Sequence, residues 1–322
     1  MQSDCKSPVA FIIFNRPEVT ERVFTAIRAA RPPVLFLIAD GPRPNVASDA
    51  ACCAAAREVV ENVDWPCQVL RKFAENNLGL RRNVSEGLDW VFAQAEEAII
   101  LEDDCLPDPS FFPFCDELLE HYRDDANVGM ICGTNLAPRQ VTADNAASYY
   151  FSRYCYIWGW ATWRRAWRCY DREMKEWPSL GKNGWLKEKV ATSTAINFWR
   201  RHFDDCYEQH PDGLNTWDVQ LVFAFWRHAL RSIVTKENLV RNLGVGASAT
   251  HATQPLGGAG QGNGFLAFPL QHPAQQTVHE KADRHVQEQV FEALTPWQRL
   301  YWKLQLPFPI WMVRRFLGRA HA

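Results

Sequence analysis

The chain has 322 residues, of which 47% are hydrophobic and 22% are charged, and its formal net charge at pH 7 is −2. This composition is typical of a globular protein with a substantial core, and it excludes an intrinsically disordered chain. Because the net charge is small, no overall field attracts nucleic acid, and we expect no nucleic-acid partner.

The cysteines and the N-terminal sequence indicate the compartment. Ten cysteines occur without the spacing of a disulfide framework, and no Cys-x-x-Cys pair is present, so a cysteine-rich zinc site is not expected. The N-terminal segment lacks the charged start and cleavage site of a signal peptide. The sequence also contains no run of about 18 apolar residues, the length needed to cross a bilayer. We therefore expect reduced thiols and a cytoplasmic location.

The N-terminal part of the chain alternates between short apolar runs and amphipathic stretches. The pattern predicts buried strands at 9–14, 34–39, 67–72 and 98–101, separated by helices at 18–30, 49–62 and 81–95. This alternating order is typical of a parallel, doubly wound sheet. We therefore predict an α/β fold with a Rossmann-like, mostly parallel sheet flanked by helices.

The rest of the chain contains further elements and two unusual segments. The pattern predicts helices at 111–122, 195–209 and 219–229 and strands at 128–132 and 232–235. Residues 254–264 are rich in Gly and Gln, which favours a loop or lid. Residues 295–322 mix tryptophan and leucine with arginine and lysine, which suits a terminal helix packed on the domain or a peripheral contact with a membrane surface.

Polar side chains follow three of the predicted strands at the point where each strand ends. These residues are Asn15 and Arg16, Asp40, and the acidic run Glu102-Asp103-Asp104. The carboxyl ends of parallel strands meet at one edge of the sheet, where ligands bind in such folds. Adjacent carboxylates repel one another unless a cation is present, and carboxylate oxygens suit Mg²⁺ or Mn²⁺. We predict a metal and diphosphate site at this rim, although a solvated acidic turn is the alternative.

Three further residues are candidates for the same chemistry. Asp218 precedes a predicted helix beside Trp217, where it could act as a general base or cap the helix. His251 follows a glycine-containing stretch, which suits a late metal ligand or a diphosphate contact as well as an ordinary loop histidine. Arg81 and Arg82 begin a predicted helix, where they could bind phosphate or face solvent, and Arg82 is the candidate for the nucleotide-sugar site.

Tryptophan is unusually frequent, with 14 residues in the chain. Trp158, Trp160 and Trp217 are candidates for stacking on a sugar acceptor, because the C–H face of a sugar ring packs well on an aromatic ring. Packing in the core is the alternative, since aromatic residues often fill interiors.

Several segments together resemble N-acetylglucosaminyltransferase I and its bacterial relatives. They are residues 8–17, Ala39-Asp40-Gly41-Pro42-Arg43, Asn76–Asn83, Ile99–Asp104 with Pro107–Phe112, Trp158–Trp163, Trp217-Asp218, and Asn242-Leu243-Gly244 with Thr250-His251. The resemblance covers roughly residues 8–253 and follows the family's order. It implies a GT-A fold, a UDP-sugar donor, Mn²⁺ (or Mg²⁺) and inversion at the anomeric carbon.

The resemblance also implies roles for individual residues. Asp104 would be the direct metal ligand, Glu102 and Asp103 would contact the ribose and the sugar, Asp40 would contact the uracil, and Asp218 would be the base. The implied GT-A domain covers residues 1–265, with a donor half at about 1–135 and an acceptor half at about 136–265. Residues 266–322 would form a C-terminal helical tail.

The prediction is therefore a metal-dependent, inverting glycosyltransferase of hexosyltransferase type. A bacterial surface polysaccharide or lipid-linked oligosaccharide is the expected acceptor, at the inner face of a membrane if the tail binds there. One alternative is a sugar-nucleotide nucleotidyltransferase, although Asn15-Arg16-Pro17-Glu18 stands where that class needs a Gly-rich loop. The other is a non-catalytic carbohydrate-binding or membrane-binding protein, which leaves the acidic run unexplained.

Overall fold

The computed structural model describes residues 4–144, 146–208, 215–244 and 266–292. The strands are β1 (Val9–Ile13), β2 (Val34–Ala39), β3 (Gln68–Phe73), β4 (Glu97–Glu102), β5 (Cys105–Pro107), β6 (Val128–Cys132), β7 (Tyr149–Ser152), β8 (Trp160–Trp163), β9 (Arg231–Thr235) and β10 (Val240–Asn242). The helices are α1 (Pro17–Ala30), α2 (Asp49–Val59), α3 (Leu80–Phe92), α4 (Phe111–His121), α5 (Arg164–Trp167), α6 (Trp177–Lys182), α7 (Leu186–Lys189), α8 (Ser193–Glu208), α9 (Asp218–Arg227) and α10 (Glu280–Val286), which continues into a π-helical turn at Gln287–Phe291.

The central sheet confirms the predicted fold class. Its order is β3-β2-β1-β4-β8-β6-β9-β7 in the described part of the chain. β3, β2, β1 and β4 run parallel, as predicted, and β6 is parallel to β9. The molecule is therefore an α/β protein with a large, mostly parallel sheet flanked by helices.

The sequence pattern did not predict β8, which lies between β4 and β6 and runs antiparallel to both. All four of its residues are buried, so they show no alternation of apolar and polar side chains. Without that alternation, a four-residue strand cannot be distinguished from other buried aromatic segments.

Helices cover both faces of the sheet, which explains the continuous apolar strands. Val9, Phe11 and Ile13 pack with α1 and α4 on one face. Ala10 and Ile12 pack with α3 and the aromatic side chains of α8 and α9 on the other. A strand buried on both faces has no polar alternation, which is the signature of a parallel sheet.

Strand register brings the predicted rim residues to one edge. Ile12 pairs with Glu102, and Ile13 pairs with Ala39, so β1, β2 and β4 end at the same level. A second, two-stranded sheet of β5 and β10 follows β4 directly. It carries the end of β10 back to the acidic run.

The C-terminal described segment packs against the edge strand β7. The backbone N–H of His279 donates to the carbonyl of Phe151 at 2.8 Å. The buried Asp283 carboxylate accepts bonds from the Ser152 hydroxyl at 2.6 Å and the Arg153 N–H at 3.0 Å. Residues 266–292 are therefore anchored to the sheet, while the predicted boundary at 265 stays a prediction.

Two predicted features lie outside the described residues, namely the loop at 254–264 and the segment at 295–322.

All ten cysteines are free in the structure. In the ranges that the structure describes, no helix is both long and apolar enough to cross a membrane.

Candidate active site

The acidic run lies directly after β4 and is held by one arginine. Arg16 forms an ion pair with Asp103, whose residue surface is 3% exposed. The Arg16 Nη1 atom also lies 3.1 Å from Asp104 Oδ2. The backbone N–H of Phe14 donates to Asp103 at 3.4 Å. Arg16 therefore neutralises two carboxylates that would otherwise repel each other at close range.

Glu102 has no such partner. No residue in the described part of the chain forms a hydrogen bond or ion pair with its carboxylate. Burial raises the pKa of Glu102 to about 8, and the negative charges of Asp104, Asp103 and Asp218 add to the rise, while Arg16 opposes it. The carboxylate thus faces other carboxylates across the rim and is available to a ligand.

Replacing Glu102 by Gln should stabilise the free protein at pH 8, because the wild type must then ionise a buried group whose pKa is raised by folding. The folded protein keeps this proton up to about pH 8, whereas the unfolded chain loses it near 4.5. Wild-type stability should therefore fall as the pH rises through this interval, and the Gln variant should lack that part of the fall. Denaturant unfolding at several pH values measures this effect.

The exposed Glu120 provides the control, because Glu120→Gln should change stability little at any pH. A Glu102→Gln protein that is less stable than the wild type at pH 8 would contradict the assignment.

Gly244 leaves room for the Asp104 side chain. A Cβ atom at Gly244 would lie 2.6 Å from Asp104 Oδ2. The segment is held in place because the Leu243 N–H donates to the Asp104 carbonyl at 2.7 Å, and the Gly244 N–H donates to Asn242 Oδ1 at 2.7 Å. Any side chain at 244 must therefore displace the Asp104 carboxylate.

A Gly244→Ala protein should keep its fold but lose activity about tenfold to hundredfold, because small displacements of a site carboxylate are costly. Steady-state assays of the activity measure this loss. Gly184→Ala is the control, since a Cβ at Gly184 would meet no atom closer than 3.9 Å, although the positive φ of Gly184 makes alanine strained there. That control should lose about 1 kcal/mol of stability and keep its activity. Wild-type activity in Gly244→Ala would overturn this role for Gly244.

The residues at the rim fit a divalent cation whose coordination would be completed by a bound ligand. Among the described residues, no three His, Cys, Asp or Glu side chains are arranged as a metal site. Glu102 has an unpaired carboxylate, and Asp104 Oδ1 contacts only the weakly polar Cys105 thiol, at 3.5 Å. One or two carboxylates together with substrate phosphates are a usual site for Mg²⁺. His251, the other predicted ligand, lies outside the described residues.

Asn15 belongs to a network that the sequence pattern did not reveal. Its side-chain amide donates to Asp49 Oδ1 at 2.9 Å, and Arg43 Nε donates to Asp49 Oδ2 at 2.6 Å. Arg43 hydrogen bonding lowers the pKa of Asp49 to about 2. The Arg43 guanidinium also lies over the Phe14 ring, 5.6 Å from its centroid. Asn15 is thus fixed on the rim. The sequence pattern did not show the part that Asp49 plays, because Asp49 was visible there only as the first residue of a predicted helix.

Asp40 lies at the end of β2 and holds the turn before α3. Its oxygens accept the N–H groups of Gly41 at 2.8 Å, Leu78 at 2.7 Å and Gly79 at 3.0 Å, and the Asn77 amide at 3.0 Å. Burial raises the pKa of Asp40, although these hydrogen bonds oppose the rise. The residue therefore lies on the predicted rim, and its carboxylate is already bonded within the protein.

Arg82 lies on the protein surface. Its side chain is 59% exposed and pairs with Glu86 at 2.6 Å, one turn further along α3. The preceding Arg81 is the less exposed of the two, and it donates to the carbonyl of Cys206 at 3.4 Å and to that of Arg172. The sequence pattern could not distinguish the two arginines because they are neighbours at a helix start.

Asp218 is the first residue of α9 and accepts a hydrogen bond from the Thr216 hydroxyl. Burial raises its pKa, and the backbone N–H groups of Asp218 and Val219 oppose the rise. Its charge contributes to the raised pKa of Glu102, so the two carboxylates interact electrostatically. The arrangement combines a carboxylate of raised pKa with an acidic rim that can take a cation.

The tryptophans differ from their predicted use. Trp160 and Trp217 are 1% and 2% exposed, and their rings stack on each other with centroids 5.7 Å apart. Neither ring has a free face for an acceptor, so both fill the core beneath Asp218. Trp158 is only partly buried, and it alone of the three keeps accessible surface in the structure.

No protein-family model and no curated protein sequence matches the chain. Among solved structures, UDP-glucose pyrophosphorylase complexed with UDP-glucose is similar at 12% identity over 47% of this chain, with a TM-score of 0.26. The chain spans 64% of that protein's length. Mouse xyloside xylosyltransferase 1 in its apo form is similar at 11% identity over 69% of this chain and 83% of that chain, with a TM-score of 0.32. We therefore infer function from the chain's own site.

Proposed function

We propose that the protein is a metal-dependent, inverting glycosyltransferase. It would move a sugar from a nucleotide-diphospho-sugar, most simply a UDP-sugar, to a hydroxyl of a glycan or lipid-linked acceptor. The observation that carries this proposal is the acidic rim after β4, where Arg16 pairs with both Asp103 and Asp104 and the charge of Asp218 acts on Glu102. In the proposal these residues line one cleft, in which Asp103 and Asp104 form a donor side for a cation and a diphosphate and Asp218 provides the proton acceptor on the other side.

The donor side uses the ends of β1, β2 and β4. Arg16 pairs with both Asp103 and Asp104 and so offsets the repulsion between these neighbouring carboxylates. Asp104 would hold the cation, which would supply positive charge that stabilises the departing diphosphate. Asn15 offers its amide carbonyl oxygen as a hydrogen-bond acceptor, since its nitrogen is held by Asp49.

The acceptor side uses Asp218. Its carboxylate would remove the proton of the acceptor hydroxyl while that oxygen forms a bond to the anomeric carbon. The bond from the anomeric carbon to the diphosphate breaks at the same time, and its electron pair leaves with UDP. Attack from the face opposite the diphosphate inverts the anomeric centre. The Thr216 hydroxyl holds one Asp218 oxygen and thereby orients the carboxylate.

The proposed location is cytoplasmic, with the C-terminal segment 295–322 in peripheral contact with the inner face of a membrane. This part of the proposal depends on the amino-acid pattern of that segment. A lipid-linked acceptor would suit such a location.

The alternative of a sugar-nucleotide nucleotidyltransferase receives less support from the site. Only Phe14, Asn15 and Arg16 separate β1 from α1, and Arg16 is paired with the acidic run. The glycine-rich phosphate loop which that chemistry needs has no place there.

Release of UDP from a panel of UDP-sugars tests the proposal. With Mn²⁺ present, we expect UDP release from at least one UDP-sugar, and EDTA should abolish it. Formation of UTP from UDP-sugar and pyrophosphate would instead establish the nucleotidyltransferase. Absence of both reactions across the panel would overturn the proposed function.

A further inference from the structure

The turn that joins β3 to α3 is held at the end of β2 by a single carboxylate. Asp40 accepts four hydrogen bonds, of which three come from Asn77, Leu78 and Gly79 of this turn. A carboxylate has about four acceptor positions, so Asp40 is saturated by the protein itself. Direct contact with a nucleotide base would require it to give up one of these bonds.

The fit of the turn against β2 is also tight. A Cβ atom at Gly41 would lie 2.4 Å from the backbone carbon of Asn76, so no side chain fits between them. Arg57 reinforces the contact because its Nη2 atom donates to the carbonyls of Asp40 at 3.0 Å and Ala74 at 2.6 Å. Asp40 therefore fixes where α3 begins.

The first turn of α3 in turn contacts the segment that carries Asp218. The backbone N–H of Arg81 lies 3.4 Å from Asn215 Oδ1, and a Cβ atom at Gly79 would lie 3.4 Å from Asn215 Nδ2. Asn215 precedes Thr216, whose hydroxyl binds Asp218. The Arg81 side chain also donates to the Cys206 carbonyl of α8, which holds the first turn of α3 in place.

We propose that Asp40 is a positioning residue for Asp218. It acts through the 77–79 turn, the first turn of α3 and Asn215, and thereby couples the donor side of the cleft to the proton acceptor. This inference depends on the proposed function, because it assigns Asp218 to proton removal. It gives Asp40 a different role from the uracil contact that the sequence resemblance implies.

The two roles predict different kinetics. A positioning residue affects the chemical step, so its loss lowers kcat and leaves the affinity for UDP unchanged. A base-contacting residue affects binding, so its loss weakens UDP and reduces the preference for uridine over other nucleosides. Asn215 distinguishes them further, since its described contacts are with α3 and not with the rim.

The test compares Asp40→Asn, Asn215→Ala and the double variant with the wild type. We expect each single variant to lower kcat at least tenfold, with the Kd for UDP within twofold of the wild type by calorimetry. The double variant should be no worse than the more impaired single variant, because both substitutions break the same connection. Amide hydrogen exchange should be faster at residues 215–222 in Asp40→Asn.

Asp116→Asn is the matched control. Asp116 also accepts several hydrogen bonds from one loop, namely from Lys6 N at 2.9 Å, Ser7 N at 2.9 Å and Ser7 Oγ at 2.6 Å, but at the start of β1. Its substitution should lower stability and leave kcat and the exchange of 215–222 unchanged.

Two results would overturn the positioning role. One is a tenfold loss of UDP affinity in Asp40→Asn with kcat unchanged, and the other is wild-type kcat in Asn215→Ala. Failure of the proposed function is recognised separately, because the wild type itself would then release no UDP. In that case hydrogen exchange still decides the coupling, since unchanged exchange at 215–222 in Asp40→Asn would refute it.

Discussion

The Asp218→Asn protein is expected to transfer sugar about 10²–10⁴-fold more slowly than the wild type, which is the usual contribution of a general base. Asn has nearly the same shape and its Oδ1 can still accept the Thr216 hydroxyl, so the site keeps its geometry. What it loses is the ability to take a proton. The affinity for UDP should stay the same, because Asp218 lies on the acceptor side.

The raised pKa of Asp218 gives this prediction a second signature. Because the folded protein binds this proton more tightly than the unfolded chain, ionisation of Asp218 costs stability as the pH rises through its folded pKa. Asp218→Asn should therefore be at least as stable as the wild type at pH 7–8. For the same reason, wild-type activity should decline on the acid side at a pH above the ordinary range of aspartate.

Asp283 serves as the control, since burial also raises its pKa but it binds Ser152 and Arg153 far along the sheet at β7. Asp283→Asn should keep full activity per folded molecule. A fully active Asp218→Asn protein, or one whose only defect is lower stability, would remove Asp218 from the mechanism.

Arg16→Met should destabilise the protein by about 2–4 kcal/mol at pH 8, because it leaves the buried Asp103 carboxylate without its counter-charge. The figure is below that of a fully buried pair because part of the Arg16 side chain is exposed. The loss should shrink as the pH falls, since Asp103 then takes up a proton and no longer needs a cation. Denaturant unfolding at pH 5 and pH 8 measures the difference.

Two companion variants make the Arg16 result interpretable. The double variant Arg16→Met/Asp103→Asn should recover most of the lost stability, because the unpaired charge is gone. Arg28→Met removes the exposed partner of Asp64 and should change stability little. If Arg16→Met unfolds at the same denaturant concentration as the wild type at pH 8, the acidic run does not depend on this arginine.

The position of the rim could be predicted from the sequence because it depends only on the order of the strands. Apolar runs ending at Asn15, Asp40 and Glu102 were sufficient to place these residues on one edge, since parallel strands all end on the same side. Register then confirmed that β1, β2 and β4 end at one level. The predicted position of the rim did not depend on how any side chain packs.

Side-chain environment was not predictable in the same way. Trp160 and Trp217 are of the residue type that stacks on sugars, but both are buried in the core. Trp160 lies in β8, a strand that the sequence pattern did not reveal. Asp40 was correctly placed at the rim, yet its saturation by the 77–79 turn is a tertiary property. Neighbouring residues of a helix point about 100° apart, so Arg82 is exposed while Arg81 contacts the protein. The sequence pattern alone does not show which of the two faces solvent.

Calorimetric binding of UDP to the wild type and to Asp104→Asn, each with Mn²⁺ and with EDTA, tests most directly whether the rim binds a nucleotide through a cation. We expect Mn²⁺ to tighten UDP binding to the wild type at least tenfold and to have little effect on Asp104→Asn. Equal UDP affinity in Mn²⁺ and EDTA for the wild type, or an unchanged Mn²⁺ effect in Asp104→Asn, would contradict the account.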